Sequence, residues 1–200
     1  MIASIEVFDT LKYSVEHLFD NEINSLLVEK FETSPNARGL EIYLRHCAVS
    51  DEVEHLSRTY LIKDRVTEEL AGYFSLRTGL ITRPVSGSSF DSVPAIELSN
   101  FAMDCNYKAR HTGEMQHLGA YVFKYFVVPT VKAVAELIGV NSLYIYALPS
   151  GRLMEHYEKM GFLRLPPDEE MFVHNHVKPK YDNGCVFMYQ VLSLKNRCYS

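Results

Sequence analysis

A six-residue run, Leu143-Tyr-Ile-Tyr-Ala-Leu148, constrains this chain more than any other feature. It is apolar on both alternating faces, so as a strand it must be covered on both sides. Gly139 precedes it and Pro149-Ser-Gly breaks it, and both flanks continue at helical spacing. Upstream, Leu118, Val122, Phe126, Val131, Val134, Ala135 and Ile138 mark one long helix. Proline costs a helix interior about 3 kcal/mol, so Pro129 predicts a kink or a restart. Downstream, a short helix ends at Gly161. A doubly covered strand between two helices belongs inside an α/β sheet.

The remaining segments fit that frame. Ser4-Ile-Glu-Val-Phe8 alternates like a first strand. Val15, Leu18, Phe19, Ile23, Leu26, Leu27 and Phe31 recur at helical spacing, and Leu40, Tyr43, Leu44 and Cys47 resume it. Residues 59–62 and 70–76 read as a hairpin around a charged turn, and residues 82–93 as a flexible loop. Residues 95–103 read as a third long strand, residues 166–184 as a proline- and acid-rich loop, and residues 185–194 as the last strand. The order of strand, two helices, three strands, helix, strand, helix, strand predicts a mixed α/β sheet in one domain, 1–200.

Composition excludes more than it identifies. At 200 residues and 47% hydrophobic, the chain can bury a core without metal or disulfide. Cys47, Cys105, Cys185 and Cys198 show no CxxC spacing and no secretory leader precedes them, which predicts reduced thiols and a cytoplasmic location. No apolar run approaches the roughly 18 residues of a membrane span. A net charge of −5 argues against a broad phosphate-neutralising surface, so neither nucleic acid nor membrane is expected as a partner. His174-Asn-His176 offers half a zinc site without a third ligand, and no metal is expected. Cys105 reads as an inert thiol.

Three stretches carry chemistry: Phe101-Ala-Met103 at a strand end, Gln116-His-Leu-Gly-Ala-Tyr121 opening the long helix, and Tyr157-Glu-Lys-Met-Gly-Phe162 closing the short one. Together with the element order they resemble the GCN5-related N-acetyltransferase superfamily, most strongly from Pro94 to Phe162. The resemblance implies a mostly antiparallel central sheet of six to seven strands, helices on both faces, and a V-shaped splay between the fourth and fifth strands. It implies acetyl-CoA, or another acyl-CoA, as co-substrate and an amine as acceptor. Pantetheine would pair with the strand at Phe101, Ala102 and Met103. The pyrophosphate would sit on amides of Gln116, His117, Leu118, Gly119, Ala120 and Tyr121 at the helix start. Arg110 would add positive charge, and Ser150 would belong to the turn beside the cofactor. The family's loop reads Arg/Gln-x-x-Gly-x-Gly/Ala, and this chain departs from it by placing Tyr121 where a small residue belongs.

The same resemblance assigns Tyr157 the role of acid to the departing thiolate, since an ordinary tyrosine stays protonated at neutral pH. Glu97, six residues before Met103, stands where some histone-type members carry their base; the alternative is a solvated glutamate at a strand start. Alternation places Glu97, Ser99, Phe101 and Met103 on one strand face.

The leading expectation is an N-acetyltransferase acting on a small-molecule or peptide amine, with homodimerisation left open. Glu97-Leu-Ser-Asn-Phe101 also resembles the Glu-x-Ser-Arg-Phe strand of acyl-homoserine-lactone synthases, without their arginine or tryptophans. A toxin that acetylates aminoacyl-tRNA ranks lower, because more basic surface would be expected of it. A degenerate acyl-CoA sensor is the alternative outside catalysis, favoured by the altered glycine pattern.

Overall fold

A computed structural model describes residue 10 and residues 12–85, 89–112, 117–176 and 184–192. Its strands are β1 (Tyr13–His17), β2 (Arg58–Asp64), β3 (Leu70–Pro84), β4 (Phe90–Met103), β5 (Ser142–Ala147), β6 (Leu163–Arg164) and β7 (Val186–Val191). They are hydrogen-bonded in the order β1-β2-β3-β4-β5-β7-β6. β4 and β5 run parallel, whereas β1–β2, β2–β3, β5–β7 and β6–β7 are antiparallel. The expected mixed, mostly antiparallel α/β sheet is therefore present. Its one parallel pair requires a long crossover, which the helix after residue 117 supplies.

The helices are α1 (Ile23–Glu29), α2 (Arg38–Ile42), α3 (Ala48–Val53), α4 (Cys105–Arg110), α5 (Leu118–Val122), α6 (Val128–Leu137), α7 (Gly151–Lys159) and α8 (Pro167–His176). The chain divides into two compact units. One is Met1–Arg77 with Leu98–Thr130; the other is Thr78–Glu97 with Val131–Ser200.

In the first unit, Leu18, Val28, Phe31, Leu44, Ala48, Leu61, Leu70 and Tyr73 form the core, with Phe31 set edge-on to Tyr73 at 5.3 Å. The expected first strand at residues 4–8 lies outside the described residues. The helix expected from Val15 to Phe31 is in its first part strand β1: Val15 pairs with Ile62, and Tyr13 and Val15 point inward. Apolar residues at i, i+3 and i+4 suit a helix, but Tyr13 and Val15 also alternate, and pairing with β2 decides between the two. Buried Asn24 then ties α1 to that strand by donating to the carbonyls of His17 and Leu18.

Two further expectations are corrected. The loop expected over residues 82–93 is largely strand, because β3 reaches Pro84 and β4 begins at Phe90. The loop expected over 166–184 contains α8, which starts behind Pro167 with Asp168, Glu169 and Glu170 in its first turn. Proline at the first turn and acids beside the positive end of the dipole are helix-start signals. At Pro129, where a kink or a restart is expected, the helix is irregular just upstream. A π turn at Phe123–Val127 immediately precedes it, and α6 runs through it. The wider turn accommodates a ring that has no amide to donate.

The resulting helix, Leu118–Leu137, is long and apolar enough by length and composition to cross a membrane, with a mean hydropathy of 1.3. Its Leu118, Val122, Phe123, Phe126, Val127, Val131 and Ala135 are nonetheless buried in protein. A core helix passes the same test.

Candidate active site

In the second unit, β4 and β5 share a short ladder: Ala95 with Ser142, Ile96 with Leu143, and Glu97 with Tyr144. The ladder ends there, although β4 itself continues to Met103 and β5 to Ala147. At its last rung the Tyr144 hydroxyl donates to Glu97 Oε2 at 2.9 Å. Glu97 is only 3% exposed, so the solvated-glutamate alternative does not hold. Burial along β4 does not alternate as expected either: Ala95, Ile96, Glu97 and Leu98 are all buried. Tyr144 packs with Ile81, Ala95, Leu165, Val173 and Phe187, so α8 contributes to the core around it. Gly79 makes this arrangement possible. A Cβ there would land on the Tyr144 hydroxyl and ring, the close approach that a glycine inside a strand often marks.

Tyr157 lies on α7, the helix that leaves β5. Ser150 precedes α7 in extended conformation, and its carbonyl accepts from Leu153 and Met154, both at 2.9 Å. The helix turns out at Gly161, where φ is +93°. The Tyr157 ring meets Phe162 edge-on at 5.5 Å, and the Phe162 amide donates to the Tyr157 carbonyl. The Tyr-Glu-Lys-Met-Gly-Phe motif is thus a helix exit that clamps one tyrosine. Burial drives the Tyr157 phenol well above its ordinary value near 10. Among the described residues its hydroxyl has no hydrogen-bond partner.

Gly161→Ala is expected to destabilise the protein by about 1–3 kcal/mol, because alanine resists that backbone angle. The new methyl would also come within 2.6 Å of Gln190 Nε2, although that flexible end can move. Chemical denaturation checks this; an unchanged midpoint would show that the exit turn relaxes freely.

The first unit holds the residues assigned to the cofactor. Phe101 and Met103 are half-buried and Ala102 is buried. Met103 lies on Gly72, where a Cβ would meet its thioether. Asp104 ends β4 and caps α4, accepting from Tyr107 N at 2.6 Å and from Glu32 N at 2.9 Å. Arg110 is engaged differently from expectation. Its Nη2 lies 2.6 Å from Glu69 Oε1, and His111 approaches the other oxygen at 2.9 Å. The His111 hydrogen bond and the Arg110 charge hold the Glu69 carboxyl below the usual carboxylate range.

Gln116 lies outside the described residues. His117 precedes α5, and the first helical bond runs from Tyr121 N to the His117 carbonyl. The amides of Leu118, Gly119 and Ala120 therefore open the helix without intrahelical partners. Tyr121 is accommodated by turning inward. Its ring lies 5.8 Å from Tyr13, 4.6 Å from Tyr125 and 6.2 Å from Phe126. The Cys105 thiol is pushed up by burial and by Asp104 and Glu32, the opposite of activation. Among the described residues, no group of three or more metal-ligating side chains occurs, and His174 faces Glu170 while His176 stacks on Phe172.

Sequence reasoning missed Tyr144 and Gly79. The only sequence signal for them was a glycine that falls in strand if residues 70–76 are extended.

No protein-family description and no curated protein matches this sequence. Solved structures do. A tyrosine-to-phenylalanine mutant of the AtaT toxin, bound to the C-terminus of the antitoxin AtaR and acetyl-CoA, is 16% identical with a TM-score of 0.62, covering 90% of this chain and 92% of that one. A comparable mutant of KacT is 15% identical with a TM-score of 0.63, covering 90% and 95%. AtaT complexed with acetyl-methionyl-tRNAfMet is 17% identical with a TM-score of 0.61, covering 78% and 91%. That complex, with a KacTA–DNA complex of the same fold, overturns the expectation that nucleic acid is excluded as a partner. A net charge is a sum over the whole surface and says nothing about a local patch. At such low identity the shared property is architecture, and this chain has the fold of the GCN5-related N-acetyltransferases.

Proposed function

We propose that this protein is an acetyl-CoA-dependent N-acetyltransferase whose acceptor is the α-amino group of an aminoacyl-tRNA. The observation that carries the reading is Tyr157: a buried phenol, held protonated by its surroundings, with no partner among the described residues. It sits four residues before the glycine of a helix-exit motif, on the fold that binds acetyl-CoA in the AtaT toxin. Acetyl-CoA supplies an activated thioester, so the chain need only bind, orient and move two protons. The amides of Leu118, Gly119 and Ala120, which have no intrahelical acceptor, suit a pyrophosphate. With Arg110 occupied by Glu69, those amides would carry the anion without it.

Glu97 accepts the proton of the incoming ammonium, and the resulting amine forms the C–N bond at the thioester carbonyl. As the C–S bond breaks, Tyr157 gives its proton to the leaving sulfur, and the second proton that the nitrogen loses on becoming an amide restores the phenol. The choice of acceptor follows the AtaT complex and a chemical consideration. An α-amino group titrates near 8 and a lysine near 10.4, so an α-amine asks far less of a base. Both substrates are cytoplasmic, and we place the reaction there.

The test is incubation with radiolabelled acetyl-CoA and a charged tRNA pool, beside a panel of polyamines and peptides. Label is expected in acid-precipitable tRNA and is expected to be released when the aminoacyl ester is hydrolysed. Label appearing only in small amines would overturn the acceptor; coenzyme A release with no acceptor would overturn the transferase.

A further inference from the structure

We propose that Tyr144 is a positioning residue for the base: its hydrogen bond fixes the Glu97 carboxylate that receives the proton of the incoming ammonium. This rests on the transferase reading above. Three observations within one unit carry it. The Tyr144 hydroxyl lies 2.9 Å from Glu97 Oε2, with both residues buried. The parallel ladder places the two opposite each other at its last rung, so the backbone sets their register. Gly79 on β3 leaves the space that the phenol fills, and any side chain there would displace it.

A phenol that donates to a carboxylate stabilises its charged form and lowers its proton affinity, against the burial that raises it. The donor also fixes which oxygen is held.

Other charged and titratable groups surround the pair. β3 carries Arg83, which lies 4.8 Å from the ring of Tyr189 on β7. On β5, Tyr146 stands 6.0 Å from the Tyr144 ring. On α8, His174 lies 5.6 Å from Tyr146 and 3.7 Å from Glu170. His174 is therefore an ionisable neighbour of the pair. The variants must isolate Tyr144 from it.

The experiment is the pH profile of kcat/KM for acetyl transfer in wild type, Tyr144→Phe and Glu97→Gln. Tyr144→Phe is expected to move the acid limb upward by about one pH unit, so that the rate on that limb falls about tenfold. Glu97→Gln is expected to remove the limb. Replacing Tyr144 with 3-fluorotyrosine, a stronger donor of nearly the same shape, is expected to move the limb downward, and this arm stands if Tyr144→Phe fails to fold. Limbs superimposable on wild type, with only the melting temperature lowered, would make Tyr144 purely structural and overturn the proposal. If wild type transfers no acetyl group to any amine, the transferase reading fails by itself. The Glu97 carboxyl titration, followed by carbon NMR, then decides the positioning claim: a higher midpoint in Tyr144→Phe supports it and an unchanged one overturns it.

Discussion

Tyr157→Phe should slow acetyl transfer by about 100-fold or more at saturating substrates while leaving acetyl-CoA affinity nearly unchanged. General acids typically contribute 10²–10⁴-fold, and this substitution removes only the proton donor. The ring, its edge contact with Phe162 and the turn at Gly161 all remain. The stability effect should be smaller than that of an ordinary core mutation. Among the described residues the hydroxyl holds no neighbouring side chain, so the variant should melt close to the wild-type temperature. Slow turnover with undiminished stability is the signature of a group retained for chemistry. The pH dependence follows from the same burial. Because the phenol titrates above 10, it stays protonated throughout the neutral range. A decline in rate below about pH 10 would have to come from another group. Thiol release in a single-turnover assay reads the first effect and calorimetric unfolding the second. A variant that turns over at the wild-type rate, with chemistry limiting, would remove Tyr157 from the mechanism.

The largest stability effect is expected at Glu52, a residue with no part in the proposed chemistry. Its side chain is 1% exposed and gathers three donors: the Thr59 amide, Arg58 Nη1 at 3.1 Å and His17 Nε2 at 2.9 Å. One carboxylate thus joins α3 to β2 and β1. Glu52→Ala should cost about 3 kcal/mol, since it strands a buried amide and leaves a void. Arg58 and His17 can turn partly to water, which keeps the cost at the low end for a buried ion pair. For a domain of this size that corresponds to a melting temperature lowered by about 6–12 °C. Glu52→Gln retains an acceptor and should cost about half as much. A shift below about 2 °C for Glu52→Ala would mean that water replaces the carboxylate freely.

The parts of this molecule legible in its sequence are those in which local pattern and tertiary packing agree. The run from Leu143 to Leu148 is doubly covered and became β5, while Tyr157 to Gly161 became a helix exit with the left-handed glycine its motif implies. The parts that were not legible depend on partners distant in sequence. β1 is strand because β2 lies beside it, although its own spacing also suits a helix. Arg110 looks like a phosphate ligand until Glu69, 41 positions earlier, is seen to hold it. Glu97 looks solvated until Tyr144 closes over it, and Tyr144 can do so only because residue 79 has no side chain. Tyr121 looks like damage to a glycine loop, yet it turns into an aromatic cluster. Net charge misled most plainly, because a total of −5 is compatible with any local arrangement of charge.

A crystal structure of the protein soaked with acetyl-CoA tests the central claim most directly. The account predicts the thioester sulfur within hydrogen-bonding reach of the Tyr157 hydroxyl. Acetyl-CoA bound with its sulfur remote from that phenol, or no binding at saturating concentration, would contradict it.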